Sequence, residues 1–325
     1  VGETEKGIGC TLTIQEETVY KTDPATPDMQ LIYLSSESIS LSRPNESSDV
    51  MRGGNRNPTK PARGLDDVSG DISTELQAYL GRLYKGVLGS STTSGTSPYT
   101  HTIKIGATLP SFVIERKYPT LAKFFKYNGC KFGKLSMDVT NKGFQKITFS
   151  VSGAKETIGD AAFDSTPTDL GKVSFDGRSI SVIEEGGAPC AVLTKITGLT
   201  IDNGLDLSDD NYVLGGDGSR DSIPDGYVKV TGTAHALFKD LDLYNKALNG
   251  TESSIRVKYA NGDGLGSAGN ESLEMKLSEL VYSPKTPPIS GPKGIMAELP
   301  FEAYYEGAAE ASAIQLILMN TQATI

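Results

Sequence analysis

A chain of 325 residues is long enough for two domains or one large one, and 37% hydrophobic against 22% charged residues excludes a disordered or membrane-embedded chain. No tryptophan and only two histidines, His101 and His235, occur, which excludes His-rich metal sites and argues against histidine acid–base chemistry. The net charge of −9 excludes holding nucleic acid through the overall field, and it is unevenly spread: residues 1–162 carry 19 basic and 17 acidic side chains, the remainder 12 and 23.

In chain order, VGETEKGIGC is charged and without an apolar run, so no signal peptide is expected at this point. A long connection follows from about Ser42 to Asp66. Next, Val68 to Gly89 (VSGDISTELQAYLGRLYKGVLG) predicts a strand end, a glycine turn and a helix of about four turns, with Leu76, Leu80, Leu83 and Val87 forming a buried stripe. Gly89 is a suitable residue to end that helix. Strands are predicted at Leu135 to Val139 and Phe144 to Val151.

The second half repeats this order. Val192 to Ile201 predicts a strand, and a second long connection runs from about Asp202 to Gly226. Val230 to Gly250 (VTGTAHALFKDLDLYNKALNG) matches the first helical segment, with Leu237, Leu241, Tyr244 and Leu248 as its stripe. Ser254 to Tyr259, Ser272 to Leu280 and Ile314 to Met319 predict strands; the last is far too short to span a membrane. Upstream, both helical segments share a Gly pair, a proline (Pro61, Pro224) and a glycine (Gly64, Gly226). Downstream, NKGFQKITFSVSG at Asn141 matches PKGIMAELPFEAYYEG at Pro292. The chain therefore reads as a tandem duplication, 1–160 and 161–325, with an insertion in the first copy around residues 117–140. Each copy is expected to be a small antiparallel β-barrel or sandwich with one packed helix, mainly β with minor α. The long connections occupy the same place in both copies, so each is expected to touch a partner.

Most candidate chemistry fails on its surroundings. Gly264, Gly266 and Gly269 satisfy a dinucleotide-binding spacing, but LEMKLSEL from Leu273 alternates as a strand where a helix is required, so a hairpin loop is expected. Asp202 to Asp225 holds seven aspartates and one arginine in no calcium-loop spacing. Arg116 to Lys146 is the reverse, eight basic residues against Asp138, with Phe124, Phe125, Tyr127 and Phe132 interleaved. These aromatics are expected to pack a core beneath the lysines. The basic block and the acidic loop together suggest head-to-tail contact between copies, blocked by reversing Asp209 and Asp210 to lysine. Cys10, Cys130 and Cys190 are too scattered for a disulfide framework or zinc site, and both histidines read as structural. No catalytic, cofactor-binding or metal-binding residue is assigned, and no enzymatic activity is expected.

Several short motifs resemble the roughly 300-residue tail tube proteins of long-tailed bacteriophages. Glu17-Thr18-x-Tyr20-x-Thr22, Ser36-Glu37-Ser38, Arg52-Gly53, Arg56, Gly64 and Asp67-Val68-Ser69-Gly70 are similar to the opening of that family. Gly129-Cys130-Lys131, Leu135 to Val139 and Thr148 to Val151 are similar to its central strands. Ile201-Asp202-Asn203, Val230-Thr231-Gly232, Leu299-Pro300-Phe301 and Asn320 are similar to its second half. The resemblance implies a structural virion protein, made in the bacterial cytoplasm, polymerising into stacked rings that form a hollow tube for genome delivery. Two barrel units per chain imply rings of three copies with pseudo-sixfold symmetry, with the long loops reaching the next ring. Implied partners are further copies, tape measure, tail terminator and baseplate or tip proteins. DNA passes without specific binding, and no membrane partner is implied. The alternative is a virion-surface or baseplate β-sandwich gripping a receptor or glycan, which the lack of tryptophan weakens.

Overall fold

A computed structural model describes residues 4–54, 56–289 and 291–325. Its first half runs β1 (Thr11–Glu16), β2 (Gln30–Ile32), β3 (Ser36–Glu37), β4 (Ser40–Ser42), β5 (Asn45–Glu46), β6 (Ala62–Arg63), β7 (Asp67–Glu75), α1 (Gly81–Leu88), β8 (Gly89–Gly95), β9 (Tyr99–Ile105), β10 (Phe112–Tyr118), β11 (Lys123–Val139), β12 (Lys146–Gly153) and β13 (Lys155–Gly159). The second runs β14 (Ile180–Glu185), β15 (Ala188–Pro189), β16 (Leu193–Asp202), β17 (Lys229–Leu237), α2 (Asp242–Asn249), β18 (Ser253–Ala260), β19 (Ser272–Tyr282), β20 (Met296–Ala303) and β21 (Gln315–Asn320). The fold is mainly β with two short α-helices. Its named strands pair antiparallel, but among the described residues the sheets do not close into a barrel.

Each predicted strand forms; most alternate apolar and polar residues and bury one face, while β19 and β21 are buried along most of their length. In β12 and β18 the burial alternates along the whole strand. The helices are shorter than predicted. β7 runs on to Glu75, and the backbone of Leu76 and Ala78 bonds Gln145, Val173 and Phe175, so Leu76 and Leu80 of the stripe lie before the helix and α1 keeps only Gly81–Leu88. Gly89 and Gly250 end the helices in left-handed conformation, at φ 89° and 60°.

The pairings recur between the halves. β7 pairs β12 from Val68↔Gly153 to Glu75↔Lys146, and β17 pairs β20 from Val230↔Ala303 to Leu237↔Met296, in the same register. β10 pairs β11 as β18 pairs β19, and β1 flanks β10 as β14 flanks β18. β13 and β21 lie on the other side of β11 and β19. The additional element of the first half is not at residues 117–140 but at the β8–β9 hairpin, which follows α1 directly; Gly250 instead leads almost straight into β18. β11 also continues past Phe132 to Val139, whereas β19 stops at Tyr282 and 283–289 forms no strand. Prolines at 284, 287 and 288 remove the N–H groups a ladder requires there.

The halves share one core. Phe112, Phe132, Phe149 and Tyr84 pack edge to face or tilted beneath α1, and Phe175 and Tyr259 continue the layer. β21 lies between β19 and β9, stitching the end of the second half to the first.

Candidate assembly interface

The junction between the halves is a strand pairing followed by a loop. Past Phe132, β11 runs beside β16 with Leu135 opposite Ile201 and Met137 opposite Leu199. Residues 203–226 then fold back over the first half. Asn203 Nδ2 donates to the carbonyls of Val87 and Phe132, both at 2.9 Å, which ties the loop to the end of α1. Lys131 Nζ meets Asp225 at 3.1 Å, Arg220 meets Asp67 at 2.9 Å, and the Tyr212 hydroxyl donates to the Asp66 carbonyl at 2.7 Å. Thus acidic loop and basic block do meet, but within one chain.

Three more residues of the basic block, Arg116, Lys123 and Lys126, are also satisfied locally. Arg116 lies over the rings of Tyr118, Phe125 and Tyr127 and pairs with Glu37. Lys123 and Lys126 pair with Asp160 and Asp23. Of the four aromatics expected to pack a core, Tyr127 and Phe132 are buried, Phe125 packs half-buried against the core, and Phe124 is half-buried beside Lys117. In the loop, hydrogen bonds from the Ser219 hydroxyl and N–H hold the Asp217 carboxyl below its usual range.

The same features recur elsewhere without the corresponding partner. β3 and β4 pair with β7 as β16 pairs with β17, Leu41 opposite Val68 and Ile201 opposite Val230. Among the described residues, the other edge of β3 and β4 is unpaired. The described residues of 43–63 follow β4 as 203–226 follow β16, with Val50 and Met51 exposed. Arg43 and Arg63 close the base of this loop on Asp66, and the bonds from Arg43 hold that carboxyl below its usual range despite partial burial. The helices differ too. The α1 stripe is buried, whereas Leu241 and Leu248 of the α2 stripe are 53% and 60% exposed. The sequence places both stripes alike; it does not show that the β8–β9 hairpin and the start of the 203–226 loop pack on one helix only.

Gly264, Gly266 and Gly269, all at positive φ, form the β18–β19 turn, and no helix follows. Cys130 is fully buried, and burial pushes its thiol well up. No group of three or more His, Cys, Asp or Glu is placed to hold a metal among the described residues, and no helix there is long and apolar enough to cross a membrane.

The family model described as phage tail tube protein matches residues 7–303, across both halves and the junction. The chain belongs to the phage tail tube protein family. Comparison with curated proteins yields no match. The tail tube assignment makes the chain a structural component of the virion tail that self-assembles into a tube.

His101 serves the subunit's own fold. His101 is fully buried. Its Nε2–H donates to the Gln322 carbonyl at 2.9 Å and to Asn320 Oδ1 at 3.2 Å, while Nδ1 accepts from the Thr93 hydroxyl at 2.8 Å. This set fits the neutral ring, and burial lowers its pKa below 6.5. The unfolded chain therefore takes up a proton that the native state refuses. The His101 contribution to stability is complete above pH about 6.5 and declines as the pH falls toward the native pKa. NMR titration is expected to place its midpoint below 6.5, and His101→Gln to flatten the stability–pH slope there. A midpoint at or above 6.5 contradicts this reading.

Proposed function

We propose that this tail tube protein forms rings of three copies, each copy supplying two similar units, 1–160 and 161–325. Stacked rings make a hollow conduit for genome delivery. The observation that carries this reading is the head-to-tail β11–β16 junction: its β16 side recurs as the β4 edge, and the place of its β11 side is held by residues 283–289, which form no strand. A heterologous contact of this kind closes into a ring or runs on as a filament. Two units per chain then supply a pseudo-sixfold ring from three chains. The shared register of the β7–β12 and β17–β20 pairs supports treating the halves as equivalent units.

The acidic balance suits a conduit, since carboxylates facing the lumen repel phosphates and let DNA slide. Tape measure, terminator and baseplate or tip proteins would meet the ends of the stack, and long loops would contribute to contacts between rings. Electron microscopy of the concentrated protein tests the proposal through the symmetry of top views. Hollow stacked rings of three chains are expected. Rings of six chains would place one unit outside the channel, and dispersed particles at every salt concentration would remove the ring reading.

A further inference from the structure

The seam between copies follows the pattern of the junction inside the chain, with its charges reversed. We infer that the β4 edge and loop 43–63 of one copy dock on the α2 side of a second copy, with Arg63 facing Glu302. The inference rests on the ring reading above and names the partner surfaces of that contact.

Three observations specify the occupant. First, the pairing register makes β4 equivalent to β16, and β12 equivalent to β20. What β16 meets in its own chain is the strand beside β12; what β4 lacks is the segment beside β20, residues 283–289. That segment already follows the required path: the Ser283 N–H donates to the Pro300 carbonyl at 2.7 Å, and Lys285 meets Glu298 at 2.7 Å. Its prolines limit its ladder bonds, so the loop contacts carry more of this seam than of the internal one.

Second, inside the chain Asn203 at the start of the loop bonds the end of α1, and α1 is buried. The corresponding end of α2 presents Leu248, 60% exposed, and Leu241 beside it in the stripe. Loop 43–63 brings exposed Val50 and Met51, the apolar side chains needed to cover such a face.

Third, the charges are complementary with inverted polarity. Counting back from Gly226 to Gly64, Arg63 stands where Asp225 stands. Lys131, the partner of Asp225, lies opposite Ser152 in the β11–β12 ladder; its counterpart is Val281, opposite Glu302 in the β19–β20 ladder. Glu302 is exposed. The pair Lys131–Asp225 within a chain thus becomes Glu302–Arg63 between chains. Residues 43–65 carry five basic and two acidic side chains, against the acidic second half.

Charge reversal with rescue tests the seam. Arg63→Glu and Glu302→Arg are each expected to raise the protein concentration needed for assembly at least about tenfold, since like charges face each other at the contact. The double reversal is expected to restore most of it. Leu248→Ser, at an exposed position, is expected to weaken assembly while leaving the melting temperature of the free subunit unchanged. If wild-type rings form but the single reversals assemble normally, or the double reversal gives no rescue, the seam is wrong and the ring reading stands. If the wild type forms no rings under any condition, both fall.

Discussion

Replacing Glu17 with alanine is expected to destabilise the subunit by about 3 kcal/mol or more, because it leaves several buried donors without an acceptor. The Glu17 carboxylate is only 6% exposed. It accepts from the Ser111 hydroxyl at 2.7 Å, from the backbone N–H groups of Gly129 and Lys21 at 2.9 and 3.1 Å, and from Asn128 Nδ2 at 3.3 Å. One side chain therefore ties the turn after β1 to the segment before β10 and to the centre of β11. Gly129 sits there at φ 66°, with the Tyr20 ring packed where a Cβ would point. Urea melts followed by far-UV circular dichroism measure the loss. Glu17→Gln keeps one acceptor oxygen and is expected to fall between wild type and Glu17→Ala. A loss below about 1 kcal/mol for the alanine variant contradicts the account, because even one orphaned buried donor costs about that much.

Gly70→Val is expected to abolish tube formation while leaving a folded subunit. A Cβ at residue 70 would stand 2.5 Å from Cα and N of Ile39 and from the carbonyl carbon of Ser38. These are backbone atoms and cannot rotate aside, so β3 and β4 must separate from β7. Overpacking of this kind costs about 1–3 kcal/mol. The core beneath β7 stays, but the edge offered to the neighbouring copy moves. Gly232 in β17 provides the control, since an added Cβ there meets the ring of Phe301, a side chain that can shift. Gly232→Ala is therefore expected to assemble more nearly as wild type does. Tubes of normal length from Gly70→Val, seen by electron microscopy, would show that the β3–β4 edge takes no part in assembly.

Much of the fold was legible because strand periodicity and glycine caps are local signals. Ser254 to Tyr259, Ser272 to Leu280 and Val192 to Ile201 alternate clearly and lie where expected. The first helix starts later than its stripe predicts, because the backbone of Leu76 and Ala78 bonds Gln145, Val173 and Phe175, partners far along the chain that the local spacing of Leu76 and Leu80 does not reveal. The insertion was misplaced because Gly89 to Gly95 (GSSTTSG) is low in apolar residues and does not announce a strand; its hairpin forms against β21, more than 200 residues later. The candidate site was half legible. Opposite charges in the acidic loop and the basic block were visible, but whether they meet within a chain or between chains depends on where the junction puts Asp225. The contrast between Leu83 and Leu248 was hidden, since equivalent stripes look equally buried until the structure shows what covers each.

The β11–β16 junction also bears on how such a ring responds to dilution. A contact between tethered halves is an intramolecular event, governed by a local concentration the covalent link fixes, and it does not weaken as the solution is thinned. Only the contacts between separate chains obey mass action. A ring of three fused pairs would then come apart at three places instead of six, always releasing the same two-unit piece. Closure would need three molecules to meet, not six, which shortens the series of short-lived partial arcs through which a ring must grow.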